Sequence, residues 1–262
     1  MPVEANGRPV PASGGVSIRL AAAGDIHCNE ENREQTAAAF AEIDGTVDLI
    51  LLAGDLTTHG EPDQARVLAD ACRELKTPVF TVLGNHDWQS DARDELVAVL
   101  EEARITVLDP GHAICRPRDV EVGIVGAKGF VGGFPGSHAS NFGEPSIRAL
   151  YAETTAEVEA LEAGLDAVAT CPVRIVLLHY APTEETLRGE PEGIWTFLGT
   201  DRLAAPVLEA EPDLVLHGHA HAGTFEGRVG EVPVYNVSVP VLGEDFWLFE
   251  LTGDRRVPSE VH

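Results

Sequence analysis

Residues 47–55 of this chain read VDLILLAGD, and they decide its fold class. A short, unbroken apolar run that ends in a small residue and an acid is typical of a strand buried on both faces, as in parallel sheets covered by helices. The same arrangement returns at residues 78–87, which read PVFTVLGNHD. Both stretches therefore predict buried strands whose carboxyl ends carry polar side chains.

Apolar runs of this kind alternate with helical patterns along most of the chain. Buried strands are predicted at residues 17–23, 47–53, 78–83, 121–127, 173–178 and 213–216. Helical patterns lie at residues 31–43, 62–75, 91–102, 145–168 and 200–209. The last part differs, because strand patterns separated by Gly and Pro follow one another like hairpins at residues 223–229, 232–237 and 245–251. We predict an α/β fold in which two packed, mixed sheets are flanked by helices.

Composition limits the domain organisation and the partners. A chain of 262 residues with 44% hydrophobic content can bury one sizeable core. We expect a single domain over residues 17–262, after a flexible arm at residues 1–16. The formal charge of −25 argues against nucleic acid polymers and anionic membranes as partners. Without a membrane-length apolar run or a signal peptide, and with four scattered cysteines that read as reduced, we predict a cytoplasmic protein. A homo-oligomer is possible, although nothing in the sequence indicates one.

Five polar clusters stand at the carboxyl ends of the predicted strands, where open α/β sheets bind ligands. They are Asp25-Ile26-His27, Gly54-Asp55, Gly84-Asn85-His86-Asp87, His179 and Gly218-His219-Ala220-His221. Imidazole and carboxylate together suit zinc, manganese and iron, and the absence of thiolate argues against a purely structural zinc site. Each cluster alone is weak evidence, because Asp and Asn are also ordinary turn and capping residues. Their combination and order predict a metal centre.

In this order the clusters resemble the signature of the calcineurin-like metallophosphoesterases, over residues 25–221. The chain is similar to compact, single-domain bacterial members of the phosphodiesterase type. The resemblance implies a four-layer αββα sandwich and two divalent or mixed-valence ions of Mn, Fe or Zn. It also implies two ligand sets that share a bridging Asp55, namely Asp25, His27, Asp55 and His221 for one ion and Asp55, Asn85, His179 and His219 for the other.

The resemblance also implies a mechanism and a catalytic set. A hydroxide bound by the metals is expected to attack phosphorus in line, while the cations neutralise charge on the phosphate oxygens. His86 resembles the family histidine that stabilises the phosphoryl group or protonates the departing oxygen; the alternative is that it only orients Asp55. Asp87 is expected to orient His86 or a metal ligand. The predicted catalytic residues are thus His86, Asp55 and Asp87.

Four residues in loops around the predicted site are candidate substrate contacts, namely His59, Lys128, His138 and Arg188. The Gly-rich stretch at residues 123–143 is too long and irregular for a hairpin turn, which predicts a loop over the site. Related protein serine/threonine phosphatases carry an Arg in place of His59, and a histidine cannot form the same bidentate clamp on phosphate. For each of the four, the alternative is an ordinary solvated loop residue.

The predicted function is hydrolysis of a small phosphate ester, with a phosphodiester favoured over a monoester. The metal ligands do not distinguish diester from monoester hydrolysis, because both reactions use the same hydroxide and the same charge stabilisation. The alternatives are a phosphomonoesterase acting on a small metabolite, a phosphoprotein phosphatase, and a non-catalytic metal-binding scaffold of the same fold. Scaffolds of this fold tend to have lost metal ligands, whereas every position is filled here. A β-lactamase-like hydrolase would need a His-x-His-x-Asp-His cluster, which the sequence lacks.

Overall fold

A computed structural model describes residues 16–252, which form eleven strands and seven α-helices. The strands are β1 (Ser17–Ala23), β2 (Leu49–Ala53), β3 (Val79–Val82), β4 (Ile105–Val107), β5 (Gly111–Cys115), β6 (Val122–Ala127), β7 (Val173–Leu178), β8 (Leu214–His217), β9 (Glu226–Val229), β10 (Val232–Asn236) and β11 (Trp247–Thr252). The helices are α1 (Arg33–Ile43), α2 (Pro62–Cys72), α3 (Arg93–Glu102), α4 (Pro145–Ala167), α5 (Trp195–Leu198), α6 (Ala204–Ala210) and α7 (Val239–Leu242).

The strands form two mixed sheets, which confirms the predicted fold class. The first has the order β11-β1-β2-β3-β4, in which β1 to β4 are parallel and β11 is antiparallel to β1. The second has the order β5-β6-β7-β8-β10-β9, in which the four middle strands are parallel and the two edge strands are antiparallel. In each sheet the polar clusters therefore lie together at the carboxyl ends of neighbouring parallel strands.

The two sheets pack face to face, and helices cover their outer faces. Leu51 of the first sheet and Leu177 of the second belong to one core shared by both inner faces. On the outer face of the first sheet, Leu52 packs in a core with residues of α1, α2 and α3. On the outer face of the second sheet, Leu178 packs in a core with residues of α4 and α6. The layers are helix, sheet, sheet, helix, as the resemblance implied.

The middle strands are buried on both faces, which explains their unbroken apolar runs. Every residue of β2, β3, β6 and β8 is buried. These segments lack the alternation of apolar and polar residues that marks a half-exposed strand, because each has a sheet on one side and helices on the other. β11 shows the opposite pattern, with exposed and less exposed residues in alternation.

The prediction that the last strand belongs to a hairpin with its neighbours was wrong. β9 and β10 do form an antiparallel hairpin in the second sheet. β11 instead crosses to the first sheet and pairs with β1, so that Ile18 lies opposite Leu251. The short helix α7 separates β10 from β11 and is capped by the following Gly243, whose positive φ of 67° suits glycine.

Two strands, β4 and β5, were missed by the sequence patterns. β4 has only three residues, and β5 exposes His112 and Ile114 in alternation, so neither contains a long apolar run. The predicted helices are confirmed, with shifted ends. Residues 30–32 and 201–203 form 3-10 turns before α1 and α6, which therefore begin later than the patterns indicated. Pro62 and Pro145 begin α2 and α4 at first-turn positions, where a missing N–H is tolerated.

The predicted N-terminal arm lies outside the described residues, apart from Val16. The Gly-rich stretch divides in two, because residues 123–127 complete β6 and only the residues after them form a loop. That loop is tied to the segment before α6, since Gly132 N–H donates to the carbonyl of Thr196 and Gly133 N–H to that of Gly199. Within residues 16–252, every helix is too short or too polar to cross a lipid bilayer.

Candidate metal centre

The predicted ligands converge where the carboxyl ends of the two sheets meet. Two groups of side chains place their donor atoms within 4.8 Å of one another: Asp25, His27, Asp55 and His221 in one group, and Asp55, His179 and His219 in the other. We call them the first and the second half-site. Asn85 adjoins the second half-site, because its Oδ1 lies 2.9 Å from Nε2 of His179. The structure therefore brings all the predicted ligands together, with Asp55 common to both groups.

In the second half-site, lone pairs face one another with no hydrogen between them. Nδ1 of His179 lies 2.9 Å from the Ala53 carbonyl oxygen, which can only accept, so Nδ1 carries the hydrogen. Nε2 of the same ring then presents a lone pair to Asn85 Oδ1 at 2.9 Å and to Asp55 Oδ1 at 3.4 Å. Three acceptors that converge in this way repel one another unless a cation lies among them. The donor set thus fits a metal ion.

Backbone carbonyls orient two further imidazoles in the same manner. Nε2 of His219 donates to the carbonyl of Phe197 at 3.1 Å, which leaves Nδ1 as its ligand atom. Nδ1 of His27 donates to the carbonyl of Thr57 at 3.3 Å, which leaves Nε2, 4.0 Å from Asp55 Oδ2. Second hydrogen bonds of this kind set the tautomer of metal-binding histidines. Donor atoms that each lie about 2.1 Å from one ion are themselves separated by about 3 to 4 Å, in agreement with these distances.

Three motif glycines leave room for the ligand side chains. A Cβ on Gly84 would lie 2.1 Å from Oδ1 of Asp55, and one on Gly218 would lie 2.4 Å from Oδ2 of Asp25. A Cβ on Gly54 would lie 2.7 Å from Nδ1 of His179. Any larger residue at these positions would displace a ligand. The glycines in Gly-Asp and Gly-His-x-His are therefore required by the close approach of the two sheets, and the glycine in Gly-Asn-His-Asp by the close approach of the loops after β2 and β3.

Four candidate ligands adopt a left-handed backbone conformation. Asp25, His27, Asp55 and His219 have φ values of 57°, 44°, 49° and 70°. A non-glycine residue in this region costs about 1 kcal/mol or more and is common at functional sites. The strain is held by hydrogen bonds between the loops, such as Asp25 N–H to the Gly54 carbonyl and His27 N–H to that of Asp55. The turns after the strands thus aim these side chains inward.

The carboxylate of Asp25 is buried and surrounded by donors. It accepts hydrogen bonds from the backbone N–H of His219 and from Nε2 of His221. Burial alone would raise the pKa of Asp25, but the hydrogen bond from His221 and the charge of that ring lower it to about 2. The hydrogen bond to Asp25 raises the pKa of His221, whereas burial lowers the pKa of His219 to about 3. Asp25 therefore stays ionised and available to a cation.

Asp87 is a positioning residue in this geometry. Its carboxylate accepts hydrogen bonds from the backbone N–H groups of Leu56, Thr57 and Gly84, and from the hydroxyl of Thr57. These contacts join the loop after β2, which carries Asp55, to the loop after β3, which carries Asn85. Burial, followed by the charge of Asp55, raises the pKa of Asp87. The side chain is fully buried, and its hydrogen bonds hold the two loops in register.

His86 lies at the open side of the centre and supports Asp55 through its backbone. Its N–H donates to Oδ1 of Asp55 at 2.8 Å. Its ring nitrogen Nδ1 donates to the carbonyl of Thr58 at 2.7 Å, and Nε2 lies 3.9 Å from Oδ2 of Asp55. The ring also contacts that of His27, with centroids 4.7 Å apart. His86 therefore presents Nε2 to the same space that the ligands enclose.

The four candidate substrate contacts have different surroundings. His59 and Arg188 are exposed, and His59 hydrogen-bonds with Gln64. Nε2 of His138 contacts the carboxylate of Asp201 at 2.9 Å. The alternative reading of Lys128 as a solvated loop residue is wrong, because its side chain is buried and its Nζ lies 3.7 Å from Oε1 of Glu157. Among residues 16–252, no hydrogen bond or ion pair joins one of these four side chains to a candidate ligand.

Three aromatic residues at the centre were missed by the sequence analysis. Trp88 follows the Gly-Asn-His-Asp motif, and Tyr180 follows His179, so their positions beside ligands were a usable signal. The ring of Tyr180 lies 4.5 Å from that of His219 between centroids. Phe197 is remote in sequence from every motif, and only the fold shows that its carbonyl binds His219.

Comparisons with solved structures agree with this fold. The phosphopantetheinyl hydrolase of Mycobacterium tuberculosis has a similar structure, with a TM-score of 0.66 and 18% identity over 86% of this chain and 90% of that one. GAP50 of Plasmodium, described as the anchor in the inner membrane complex, has a TM-score of 0.58 and 16% identity over 90% and 81%. A protein of Thermus thermophilus has a TM-score of 0.56 and 17% identity over 91% and 100%. At these identities the likeness shows the fold alone.

The search of curated protein sequences found no match. The family model described as calcineurin-like phosphoesterase matches residues 18–223, a range that contains every candidate ligand. Its match covers most of the chain and agrees with the αββα layers and with the Asp and His clusters at the sheet edge. The chain belongs to the calcineurin-like phosphoesterase family, the metal-dependent hydrolases of phosphate esters.

Proposed function

We propose that this metallophosphoesterase hydrolyses a phosphodiester of a small molecule, using two ions held by the first and second half-sites. The observation that carries the proposal is the charge around the centre. Within residues 16–252, the four ion pairs that reach the carboxylates of Asp25 and Asp55 all come from histidines, and none comes from Arg or Lys. Positive charge for the substrate would therefore come from the ions and from imidazole.

This charge supply favours a diester. A phosphate diester carries a single negative charge at neutral pH, whereas a monoester carries close to two, because its second pKa is about 6. Enzymes that bind the more charged phosphate commonly add the bidentate fork of an Arg. Here His59 occupies the position of the phosphatase Arg and is turned to Gln64 at the surface. A phosphoprotein or dianionic monoester would thus lack its usual partner.

The proposed ligands are Asp25, His27, Asp55 and His221 in the first half-site and Asp55, Asn85, His179 and His219 in the second. Two divalent ions held there would acidify a bound water and neutralise charge on the phosphate oxygens, and this mixed nitrogen and oxygen set suits Mn, Fe or Zn. Asp55 has one oxygen directed to His179 and the other to His27, as a bridging carboxylate requires.

The proposed general acid is His86. Because the Thr58 carbonyl holds Nδ1–H, the ring can deliver a proton only from Nε2, the nitrogen that faces Asp55. In the imidazolium form, Nε2–H would donate to the departing oxygen and stabilise the charge that develops there. Asp87 keeps the two loops in place for this transfer, and the buried Asp55 and His179 form the floor of the site.

The test is a parallel assay of manganese-loaded protein on p-nitrophenyl phosphate, bis(p-nitrophenyl) phosphate and cyclic nucleotides. We expect kcat/KM for the diesters to exceed that for the monoester by about tenfold or more, given the difference of one charge. Asp55→Asn serves as the inactive variant, and Asp166→Asn, an exposed carboxylate on α4, serves as the matched control.

Each outcome separates the proposal from an alternative. A ratio in favour of the monoester would make the protein a phosphomonoesterase. Binding of two equivalents of metal without turnover of any substrate would indicate a scaffold, a role that would parallel the anchor described for GAP50. The phosphopantetheinyl hydrolase shares the fold only, so a phosphopantetheinyl ester enters the assay as one further substrate.

A further inference from the structure

The chain contains only two lysines, Lys76 and Lys128, and the structure treats them differently. Lys76 is exposed, whereas Lys128 is only 5% exposed. A lysine is seldom buried without partners, because nearby groups must replace the hydration that its ammonium loses. Here the ammonium donates to the carbonyl of Gly129 at 3.1 Å and lies 3.7 Å from Oε1 of Glu157, which is itself buried. Lys128 is therefore a fixed charge inside the protein.

Two aromatic rings lie beside this ammonium. Nζ of Lys128 lies 4.4 Å from the ring centroid of Phe130 and 5.7 Å from that of Tyr180. A cation within about 6 Å of an aromatic ring is attracted to it, and the attraction is stronger when both groups are desolvated. The rings of Phe130 and Tyr180 also contact each other edge to face, with centroids 5.8 Å apart. Lys128 and Phe130 thus both restrain the buried ring of Tyr180.

Tyr180 in turn contacts two ligands of the second half-site. Its ring centroid lies 4.5 Å from that of His219 and 5.4 Å from that of His179. Among residues 16–252, the one hydrogen bond of the His219 ring runs from Nε2 to the carbonyl of Phe197. A hydrogen bond at one atom leaves an imidazole free to swing about that atom, and a neighbouring ring limits the swing. The ring of Tyr180 therefore helps to set the direction in which Nδ1 of His219 points.

The backbone of Lys128 is tied to the same loop. Its carbonyl oxygen accepts hydrogen bonds from the N–H groups of His179, at 3.1 Å, and of Tyr180, at 3.0 Å. Glu157 of α4 completes the arrangement, because its Oε2 accepts the N–H of Gly129 at 2.9 Å while its Oε1 adjoins the ammonium. The segment after β6, the segment after β7 and helix α4 therefore meet at Lys128.

We infer that Lys128 is a positioning residue for the second half-site: paired with Glu157, it holds the ring of Tyr180 against His219 and so fixes that imidazole for the metal ion. The inference rests on the proposed function, because it takes this half-site to hold an ion. In the described part of the chain, no hydrogen bond, ion pair or ring contact joins the Lys128 side chain to a ligand of the first half-site. Loss of the ammonium should therefore weaken one ion and spare the other.

The experiment measures metal affinity independently of turnover. Cobalt-loaded full-length protein is titrated with a chelator, while the visible absorption of Co²⁺ reports the geometry of its ligands. His179→Ala and His221→Ala assign the two steps to the second and the first half-site. Lys128→Met keeps the length of the side chain and removes its charge. In it, Kd of the second half-site should rise about tenfold or more, the usual effect of losing a group that orients a metal ligand, and the absorption bands of that ion should shift. Kd of the first half-site should stay unchanged.

Variants of Tyr180 test whether the effect passes through its ring. Tyr180→Leu should raise the same Kd, and the double variant with Lys128→Met should raise it no further than Tyr180→Leu alone, because both changes act through one contact. Tyr180→Phe keeps the ring and should keep the wild-type Kd. Lys76→Met, at the exposed lysine, is the matched control and should change neither Kd.

An unchanged Kd of the second half-site in Lys128→Met would overturn the inference. An equal rise at both half-sites, or additive effects in the double variant, would overturn it as well. If Lys128→Met does not fold, Glu157→Gln takes its place, since it removes the charge paired with the ammonium and should raise the same Kd selectively. Failure of the proposed function has a different signature, because the wild type would then bind two ions without hydrolysing the diester while the difference between the Kd values remained.

Discussion

The two half-sites share Asp55 and differ in nearly everything else. His179 of the second half-site is fully buried, and a carbonyl fixes its tautomer. His221 of the first is 44% exposed, and among residues 16–252 its ring hydrogen-bonds to Asp25 alone. The ring of Tyr180 contacts His219 and His179 in the second half-site, whereas the side chains of Asn29 and Thr58 bind the backbone carbonyl of His27 in the first. Preorganised, buried ligands bind a metal more tightly than exposed ones that must be ordered. We therefore expect the second half-site to hold its ion more firmly.

The largest expected effect belongs to the residue that the halves share. Asp55→Asn removes the charged bridge, so both ions should be lost and kcat/KM should fall by about 10³-fold or more. Metal content by mass spectrometry and the diester assay check both parts. Asp166→Asn should leave both unchanged. Retention of two ions by the Asp55 variant would contradict its bridging role.

Removing one imidazole from each half tests the comparison directly. His179→Ala should weaken the firmly held ion by about a hundredfold or more, so that brief chelation strips all metal. His221→Ala should lose only the weakly held ion and keep one equivalent after the same treatment. The measurement is metal content before and after the chelator. The same residual metal in both variants would show that the halves do not differ in affinity.

His86 stands between the halves as an expected proton donor rather than a ligand. His86→Ala should keep two ions and lower kcat by about 100-fold, the usual effect of losing a general acid. The loss should be smaller for a substrate with a good leaving group, such as nitrophenolate, which needs no proton. Parallel loss of metal and activity would assign His86 a structural role instead.

A steric prediction concerns the close approach of the loops after β2 and β3 at the centre. Gly84→Ala would place Cβ 2.1 Å from Oδ1 of Asp55, so we expect destabilisation of about 2 to 3 kcal/mol together with weaker metal binding. Gly193→Ala is the control, because no atom lies within 4 Å of its added Cβ. Chemical denaturation and metal titration check the pair. Equal behaviour of the two variants would show that the loops after β2 and β3 can separate freely.

The smallest expected effect belongs to one buried carboxyl group, that of Asp109. Both carboxylate oxygens of Asp109 are buried and have no hydrogen-bond partner in the described part of the chain, and Arg93 Nη2 lies 3.8 Å away. Burial and the charge of Glu157 raise the pKa of Asp109 from 3.8 to about 6, although Lys128 and Arg93 oppose the shift. The folded state keeps this proton to higher pH than the unfolded state does. The free energy of unfolding should therefore fall as the pH rises from about 4 to about 6.

Asp109→Asn removes this titration and should reduce the loss of stability over that window by at most about 3 kcal/mol. Denaturation at several pH values measures it, with Asp166→Asn as the control that should keep the wild-type slope. An unchanged slope in the Asp109 variant would show that its carboxyl does not titrate in the folded protein between those values.

The metal centre was far more predictable from sequence than its surroundings. The ligands follow apolar strands within short motifs, such as Asp25-Ile26-His27, and a motif of that kind reports both the strand and the residues at its end. The half-site partners of Asp55 could be predicted only by resemblance, since His27 and His179 come from different sheets. Lys128 was expected in a loop and is buried, because α4 supplies Glu157 beside it.

The sequence by itself determined where the buried strands lie, which residues can bind metal, and that the chain can form helix-covered sheets. Each of these follows from the spacing of apolar residues, or from the side-chain chemistry, within one segment of the chain. Only the tertiary structure decided that β11 pairs with β1 and that the ring of Tyr180 contacts His219. It also decided that the carbonyls of Ala53 and Phe197 set the tautomers of His179 and His219. The physical reason is that such contacts join segments far apart in the chain, and a local pattern shows that a residue will be buried without showing its neighbour.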